Sequence, residues 1–449
     1  MKLKLDRKNL WWWFWPASLA LISLIQISCI PGPQGPPGPA GPQGPPGNLG
    51  LAGKVCPQGT FLKGFDANGD IVCAPSGPAL ISTVDSVGIP MPKTAIAIGS
   101  DGLPVISYPV TDMSWRVEHL KVVHCGDAAC SDNNTISMVD DSDGVGGYAS
   151  MAIGSDGLPV IGYWDRENIA LKVAHCGDVA CTNDNTLTTV DSSGNVGYDT
   201  ALAIGSDGLP VISYFDATNH ALKVVHCGNE SCSANNTISV VDGDALGMSV
   251  GETSIAIGSD GLPVISYYDS SEHNLKVAHC GNLDCSANNS ITTVYSTGDV
   301  GIYNAIAIGS DSWPVISAYD DTNGNLLVIH CRSATCNPAS NSIATVDWGL
   351  YIGGQSGKTG LHNEITIGHD GLPLISYYDH SYSHLRVLHC GNVYCSAGVS
   401  ARTSVDFSDG SGFKPDIVVG NDGRPVISYL DLNKRTLKVA QCARADCSP

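Results

Sequence analysis

The chain has 449 residues, enough for one large repeat domain, and a formal net charge of −20 at pH 7. This acidity argues against nucleic acid as a partner, because an acidic surface repels the phosphate backbone. The 51 glycines and 25 prolines, beside only 6 phenylalanines and 6 methionines, indicate many turns between short strands. The composition therefore predicts an all-β fold.

Residues 1–28 predict a signal peptide or a membrane anchor, since four basic residues among the first eight precede an apolar run over 10–27. The run ends at Ser28-Cys29, which resembles the lipobox of bacterial lipoproteins, although Gln26 departs from the aliphatic residue of that motif. The resemblance implies cleavage before Cys29 and lipidation of its sulfur. An uncleaved anchor is one alternative, because about 18 to 20 apolar residues span a bilayer. A plain secretory signal is another.

Residues 29–54 predict a collagen-like stalk. From Gly32 to Gly53 a glycine occupies every third position, and proline follows the first five of these glycines. In collagen three polyproline-II chains wind around an axis where only glycine fits, so the stalk implies a homotrimer. The segment resembles the stalks of bacterial collagen-like proteins. A stiff monomeric spacer is the alternative, because proline-rich chains are extended without partners.

The 17 cysteines follow a regular plan. Cys56 and Cys73 would close a small hairpin over residues 55–75, with Asn68-Gly69 as its turn. Cys29 then remains unpaired, which fits a lipidated residue. The other fourteen cysteines form seven pairs with one spacing: Cys125 with Cys130, Cys176 with Cys181, Cys227 with Cys232, Cys280 with Cys285, Cys331 with Cys336, Cys390 with Cys395, and Cys442 with Cys447.

Zinc is a competing interpretation of these Cys-x4-Cys pairs. Each repeat supplies only one pair, whereas structural zinc needs four converging ligands. Disulfides are therefore expected, in an oxidising compartment, and no metal or cofactor is expected.

Residues 80–449 contain seven repeats, each marked by an Asp-Gly-Leu-Pro turn or a variant of it at intervals of about 50 residues. One repeat reads as four strands, a to d. Strand a is 254–258 and strand b is 264–268, opened by Pro263; strand c is 275–280, and strand d is the β-branched run 291–294. Seven repeats of four strands predict a seven-bladed β-propeller.

The phase of the repeat predicts how the ring closes. A d-type strand, 81–84, comes before any strand a, while the last repeat stops after strand c at Cys447. The N-terminal strand should therefore complete the last blade as its outermost strand and leave no open edge there. This offset favours a closed propeller over an open stack.

Any ligand site is expected on the face of the b–c and d–a loops, because these loops vary between repeats while the a–b and c–d turns are nearly constant. Aromatic rings there, among them those of Tyr148, Tyr198 and Tyr303 in predicted d–a loops, would stack on sugars, and aspartates would accept hydrogen bonds from hydroxyl groups. The competing interpretation of the repeated Tyr-Asp pairs is blade packing plus a turn. The candidate ligand-binding residues are Tyr148, Trp164, Asp165, Tyr198, Asp216, Tyr268, Asp269, Tyr303, Trp348, Tyr351, Tyr378 and Asp379.

No catalytic residue is predicted, since no nucleophile elbow, phosphate loop or zinc-protease motif is present. The histidine that ends six c strands is interpreted as blade packing. The repeats are loosely similar to the Asp-box propellers of sialidases, but the box differs and the arginines of that family are not recognisable. Over 81–447 the sequence resembles bacterial surface proteins that share this repeat; the resemblance implies an architecture and no activity.

Three hypotheses follow. The first is a surface-anchored, trimeric binding or adhesion protein whose ligand is a glycan or a protein. The second is a structural component of the envelope or extracellular matrix without a small ligand. The third is a glycan-active enzyme, which would need a pair of carboxylates about 5 to 10 Å apart at the propeller centre.

Overall fold

The computed structural model describes residues 60–65, 71–75, 77–88, 93–111, 117–243, 252–349, 351–352, 355–396 and 400–448. Every regular element among them is a β-strand. The signal, Cys29, the collagen-like triplets and Cys56 lie outside the described residues. Cys73 lies in a two-stranded antiparallel hairpin, β1 (Thr60–Phe65) and β2 (Ile71–Pro75), and its pairing with Cys56 also lies outside them.

The remaining strands form seven four-stranded antiparallel sheets and one short two-stranded ribbon. The closing strand is β3 (Ala79–Ser86). Blade 1 consists of β4 (Ala95–Ile98), β5 (Pro104–Thr111), β6 (Val117–His124) and β7 (Thr135–Asp140). Blade 2 consists of β8 (Val145–Ile153), β9 (Pro159–Asp165), β10 (Ala170–His175) and β11 (Thr186–Asp191). Blade 3 consists of β12 (Val196–Ile204), β13 (Pro210–Asp216), β14 (Ala221–His226) and β15 (Thr237–Asp242).

The same order continues to the end of the chain. Blades 4 and 5 are β16 (Thr253–Ile257), β17 (Pro263–Asp269), β18 (Asn274–His279), β19 (Ser290–Tyr295); and β20 (Val300–Ile308), β21 (Pro314–Asp320), β22 (Asn325–His330), β23 (Ser342–Asp347). The ribbon is β24 (Tyr351–Ile352) with β25 (Gln355–Ser356). Blade 6 is β26 (Thr359–Ile367), β27 (Pro373–Asp379), β28 (His384–His389), β29 (Ala401–Asp406), and blade 7 has β30 (Phe413–Val419), β31 (Pro425–Asp431) and β32 (Thr436–Cys442).

The Asp-Gly turn between strands a and b explains why the repeats are so regular. In blade 3 the carboxylate of Asp207 accepts a hydrogen bond from the amide of Leu209 at 3.1 Å. Gly208 follows with a φ of 86°, a left-handed conformation that disfavours residues with a Cβ atom. Pro210 then opens β13, where a missing N–H is tolerated.

The ring closes as the repeat phase predicts. β3 pairs antiparallel with β32, with Ile81 opposite Ala440, and supplies the fourth strand of blade 7. An apolar cluster joins that blade to the first, with Val426 and Leu430 packing against Ile106 and Tyr108. Seven such clusters fill the seven junctions between neighbouring blades, so the hydrophobic core is itself a ring.

The seven predicted Cys-x4-Cys disulfides are confirmed, and each joins the end of strand c to the turn that follows it. Each bridge lowers the conformational entropy of the unfolded chain, which stabilises the folded state by about 2 kcal/mol for so short a loop. All fourteen cysteines are buried in the junction clusters. The bonds join Cys125 to Cys130, Cys176 to Cys181, Cys227 to Cys232, Cys280 to Cys285, Cys331 to Cys336, Cys390 to Cys395, and Cys442 to Cys447.

The second cysteine of each pair adopts a backbone conformation that the spacing alone does not predict. Its φ is positive, between 47° and 53°, in a left-handed region that residues other than glycine seldom occupy. In blade 2 the amide of this cysteine donates to the carbonyl of Asp178 at 3.0 Å, which closes a tight turn inside the disulfide loop. The residues that share this conformation are Cys130, Cys181, Cys232, Cys285, Cys336, Cys395 and Cys447.

In the described part of the chain no helix is long and apolar enough to cross a membrane.

Candidate functional site: the axial pocket

The innermost strands of all seven blades, or the residues just before them, line one open cavity of about 50 Å³ on the propeller axis. It lies where these strands begin, which is the face of the b–c and d–a loops. Each blade places there the residue six positions before the glycine that ends its strand a. We call these seven residues the axial ring; in blade order they are Lys93, Tyr148, Asp199, Glu252, Tyr303, His362 and Lys414.

A β-bulge sets the backbone of the ring position. In blade 3, Tyr198 pairs with Phe215 and Ala201 with Ser213, so three steps along β12 oppose two along β13. Asp199, inside this bulge, has a φ of 45°. A bulge bends its strand and re-aims a side chain, which accounts for the place of Asp199 in the pocket. The same register shift and a positive φ occur at Tyr148, Tyr303, His362 and Lys414.

The bulge leaves the backbone carbonyl of the ring residue outside the sheet ladder, and the next blade satisfies it. The hydroxyl of Thr253 donates to the carbonyl of Asp199 at 3.1 Å. The amide of Asn304 donates to the carbonyl of Glu252 at 3.0 Å. The ring backbone is thus tied from blade to blade while its side chains face the cavity. Equivalent bonds run from Thr94 to Lys414, from Thr200 to Tyr148 and from Asn363 to Tyr303.

Two ring carboxyls hold protons unusually tightly. Burial, opposed by Lys414 and Lys93, raises the pKa of Asp199 to about 7. Burial and the neighbouring Asp199 raise the pKa of Glu252 to about 8. Perturbed carboxyls in a cleft are characteristic of acid–base sites, although ion-pair networks produce them too. At neutral pH this pair retains a proton.

Two other ring groups have their charge state fixed by their surroundings. Burial disfavours the charged form of Lys93, but the carboxylates of Glu364 and Asp416 outweigh it and raise the pKa of Lys93. Lys93 and Glu364 form an ion pair. Burial lowers the pKa of His362, which keeps its imidazole neutral.

The remaining charged side chains of the ring have no hydrogen-bond or ion-pair partner in the part of the chain that the structure describes. Among the described residues no hydrogen bond or ion pair engages the side-chain carboxyls of Asp199 and Glu252 or the ammonium of Lys414. All three residues are half-buried and line the cavity, so their polar atoms can reach molecules inside it. They are satisfied by water or by a ligand, which makes the cavity a candidate binding site.

Of the predicted aromatic residues, Tyr148 and Tyr303 belong to the axial ring, and two others stand beside it. The ring of Tyr198 lies 4.3 Å from that of Trp164, and Tyr148 lies 5.6 Å from Tyr198. The prediction that Tyr148, Tyr198 and Tyr303 lie in d–a loops is wrong: they lie in β8, β12 and β20, because the bulge carries each strand past the ring position.

The predicted aspartates Asp165, Asp216, Asp269 and Asp379 do not line the axial pocket. Asp216 accepts hydrogen bonds from the backbone amides of Thr218 and Asn219 and lies 3.1 Å from Lys223. The other three fasten their b–c turns in the same way. These hydrogen bonds support the competing interpretation of the repeated Tyr-Asp pairs, in which the aspartate forms a turn.

The remaining predicted aromatic residues are scattered along the same face. Tyr268 donates to Asp299 at 2.7 Å, and Tyr378 lies edge-on to Phe413. Trp348 is 50% exposed and stacks under the guanidinium of Arg402. Tyr351 lies in the ribbon strand β24. Of the twelve candidates, Tyr148 and Tyr303 line the axial pocket.

A second polar set, the junction triad, lies between blades. In one example Asp191, at the end of β11, accepts hydrogen bonds from Tyr214 at 2.7 Å and from Lys223 at 3.0 Å. The triad recurs as Asp85 with Tyr108 and Lys121, Asp140 with Tyr163 and Lys172, Asp242 with Tyr267 and Lys276, Asp347 with Tyr377 and Arg386, and Asp406 with Tyr429 and Lys438.

The strand-c histidines fasten turns on the opposite face. His175 bonds to Asp156 of the Asp-Gly turn at 2.7 Å, and the five equivalent histidines do the same. Gln441 replaces the seventh histidine and donates to Asp422 at 3.2 Å. In the described residues no group of three or more His, Cys, Asp or Glu side chains is arranged to hold a metal.

Sequence reasoning missed five ring residues, namely Lys93, Asp199, Glu252, His362 and Lys414. A signal for them exists. When the repeats are aligned on the glycine that ends strand a, the sixth position before it changes between cation, anion, tyrosine and histidine, while the third and first positions before it are apolar in all seven repeats.

No protein-family model matches the sequence, and the curated proteins contain no significant match. Among solved structures, the chain is similar to a protein of unknown function from Dyadobacter fermentans, with 11% identity, a TM-score of 0.47, and coverage of 66% of this chain and 93% of that one. It is also similar to an α-L-arabinanase from Penicillium chrysogenum, with 13% identity, a TM-score of 0.46, and coverage of 66% and 92%. A third similar structure is an α-L-arabinofuranosidase from Fusarium graminearum, with 12% identity, a TM-score of 0.45, and coverage of 66% of this chain and 91% of that one. Similarity at this level does not transfer an activity to this chain.

Proposed function

We propose that the axial pocket is a glycan-active site that cleaves a glycosidic bond. The observation that supports this most directly is the convergence of one side chain from each blade on one cavity, where two carboxyls and an ammonium have no hydrogen-bond or ion-pair partner among the described residues. Tyrosine faces suit the apolar face of a sugar ring, and carboxyls suit its hydroxyl groups.

The chemistry assigned to the pocket uses the carboxyl pair. Glycoside hydrolysis needs one carboxyl that is protonated and one that is ionised on either side of the scissile bond. Glu252, whose pKa is about 8, donates its proton to the departing glycosidic oxygen as the bond to the anomeric carbon breaks. Asp199, whose pKa is about 7, is the carboxylate that stabilises the positive charge developing on the sugar. A water molecule then bonds to the anomeric carbon and gives its proton to the Glu252 carboxylate, which restores the acid.

The test is release of reducing ends from a panel of plant and microbial polysaccharides by the full-length chain in detergent. We expect Glu252→Gln to lower the rate on the responsive polymer about 100-fold or more, because the proton donor is lost. Glu167→Gln is the matched control: Glu167 is exposed in a b–c loop of the same face. Equal rates for the wild type and Glu252→Gln, or no release from any polymer, would overturn the proposal.

Binding without cleavage is the second candidate, favoured by the aromatic set beside the ring. The indole N–H of Trp164 is buried without a hydrogen-bond acceptor, and its ring stacks with Tyr198. A sugar hydroxyl would satisfy that donor. Retention on a glycan array with no release of reducing ends, abolished by Trp164→Ala, is the result that selects this candidate over hydrolysis.

Display of the head at the cell surface is proposed from the N-terminal sequence alone. Residues 1–54 would carry a lipidated Cys29 or an uncleaved anchor, followed by a collagen-like stalk that joins three copies. Light scattering of chain 30–449, with and without residues 32–53, tests the stalk. A trimer that becomes a monomer on deletion supports it, and a monomer in both cases argues for a stiff spacer.

A further inference from the structure

The axial ring is electrically polarised. Blades 7 and 1 are neighbours and place Lys414 and Lys93 on one side of the pocket. Blades 3 and 4 are also neighbours and place Asp199 and Glu252 across from them. The blades between the two sides contribute tyrosine on one flank, and tyrosine with histidine on the other.

The two lysines are not equivalent. Lys93 is neutralised by its ion pair with Glu364. Lys414 has no ion-pair or hydrogen-bond partner for its ammonium among the described residues, and its recorded side-chain contact is the ring of Phe413, 5.8 Å away. Burial lowers its pKa, although the carboxyls across the pocket act in the opposite sense. Lys414 is half-buried, and an ammonium that lines a pocket without a counterion favours the binding of an anion from outside.

We propose that the sugar bound in the axial pocket carries a carboxylate, as a hexuronate does, and that Lys414 is the residue that binds this carboxylate. The inference rests on the proposed function and names its substrate class. The sugar ring lies between Tyr148 and Tyr303, and its glycosidic oxygen faces Asp199 and Glu252 on the far side.

The charge balance of the pocket supports an anionic sugar. Lys93 and Glu364 form an ion pair, and at about pH 6 the carboxyls of Asp199, Glu252 and the nearby Asp416 are mostly protonated, so they repel an anion little. The charge without a protein partner is then positive and belongs to Lys414. A neutral sugar would leave this ammonium unpaired, whereas a carboxylate would form a charge-assisted hydrogen bond with it.

The test uses three hexuronate polymers, built of galacturonate, glucuronate and mannuronate, each beside its carboxyl-reduced neutral counterpart. Binding to the full-length chain is measured by calorimetry at about pH 6, below the pKa values of both ring carboxyls. Cleavage is measured by release of reducing ends at about pH 7.5, between the two pKa values, where Asp199 is mostly ionised and Glu252 mostly protonated. We expect at least one acidic polymer to bind about 10- to 100-fold more tightly than its neutral counterpart, with an advantage that falls as salt is raised.

Lys414→Met should remove this preference, so that the acidic polymer and its neutral counterpart bind with similar affinity. Lys434→Met is the control, since Lys434 is exposed in a b–c turn. If the wild-type protein cleaves neutral polysaccharides and does not prefer the acidic ones, or if Lys414→Met keeps the preference, the uronate proposal is overturned, and the proposed function stands as long as reducing ends are released. If no polysaccharide is bound or cleaved at all, both fall.

Discussion

The axial ring and the junction triads use similar side chains in opposite ways. Both contain carboxylates, tyrosines and lysines, and both recur from blade to blade. In the triad of Asp191, Tyr214 and Lys223 every polar group is paired within 3.0 Å. In the ring, Asp199 and Lys414 have no such partners among the described residues. Paired groups that repeat unchanged hold the blades together, whereas unpaired groups that vary are available to a ligand.

One junction shows that the triad is a packing unit. Between blades 4 and 5 all three positions change together, to Tyr295, Ala318 and Leu327. Ala318 and Leu327 belong to the apolar cluster of this junction, and Tyr295 packs against them. Replacing a buried polar network as a whole is tolerated, while replacing one member leaves the others unpaired. No comparable constraint links the seven ring positions.

The largest effect should follow from breaking one triad. Lys223→Met removes the ammonium that lies between Asp191 and Asp216, at 3.0 and 3.1 Å, and leaves two carboxylates facing each other. We expect the free energy of unfolding to fall by about 3 to 5 kcal/mol, as for other broken buried ion pairs. Urea unfolding followed by circular dichroism measures it.

A compensating variant sharpens this prediction. Asp191→Tyr, Tyr214→Ala and Lys223→Leu together copy the junction of blades 4 and 5, and should restore most of the lost stability. Lys434→Met, which alters an exposed lysine, should leave unfolding within about 0.5 kcal/mol of the wild type. A triple variant less stable than Lys223→Met would show that the triad is not exchanged as a unit.

An intermediate effect should appear in the pH dependence of stability. The pKa values of Asp199 and Glu252 rise from 3.8 and 4.5 to about 7 and about 8 on folding, so the folded chain keeps protons that the unfolded chain releases. The free energy of unfolding should therefore fall as pH rises from about 4 to 8, by at most about 1.4 kcal/mol per pH unit for each carboxyl.

The double variant Asp199→Asn, Glu252→Gln should reduce this slope, and the part that remains is expected from Asp416, whose pKa burial and the neighbouring Glu364 raise to about 7. The triads provide the contrast. Burial opposes the charge of Asp140, but hydrogen bonds from Lys172, Ser142 and Tyr163 lower its pKa to about 2. The stabilisation that Asp140 gives the folded state is fully present above the pKa of about 4 that it has in the unfolded chain, and it is lost as pH falls toward 2. Asp140→Asn should therefore change the acid limb and leave the slope between pH 5 and 8 intact.

The difference between the two regions also explains what the sequence could predict. The strands, the Asp-Gly turns, the disulfides and the closing strand repeat with fixed spacing, so one repeat read correctly predicts all seven. The axial ring does not repeat in composition. Its position depends on a bulge that selects Asp199 and not Tyr198 for the cavity, and nothing in the residue types of that pair indicates which one faces the axis.

The smallest effect should be a gain in stability at the ring. Asp199 combines a left-handed φ of 45° with an unpaired, desolvated carboxyl, two unfavourable features that packing of the fold does not require. Asp199→Gly relieves both, and we expect about 1 kcal/mol of stabilisation at pH 8, where the carboxyl is largely ionised, together with loss of glycan cleavage. Asp191→Gly, at a paired carboxylate, should destabilise the protein instead. If Asp199→Gly also destabilises the protein, the carboxyl of Asp199 stabilises the fold in the same way as the paired carboxylates of the triads.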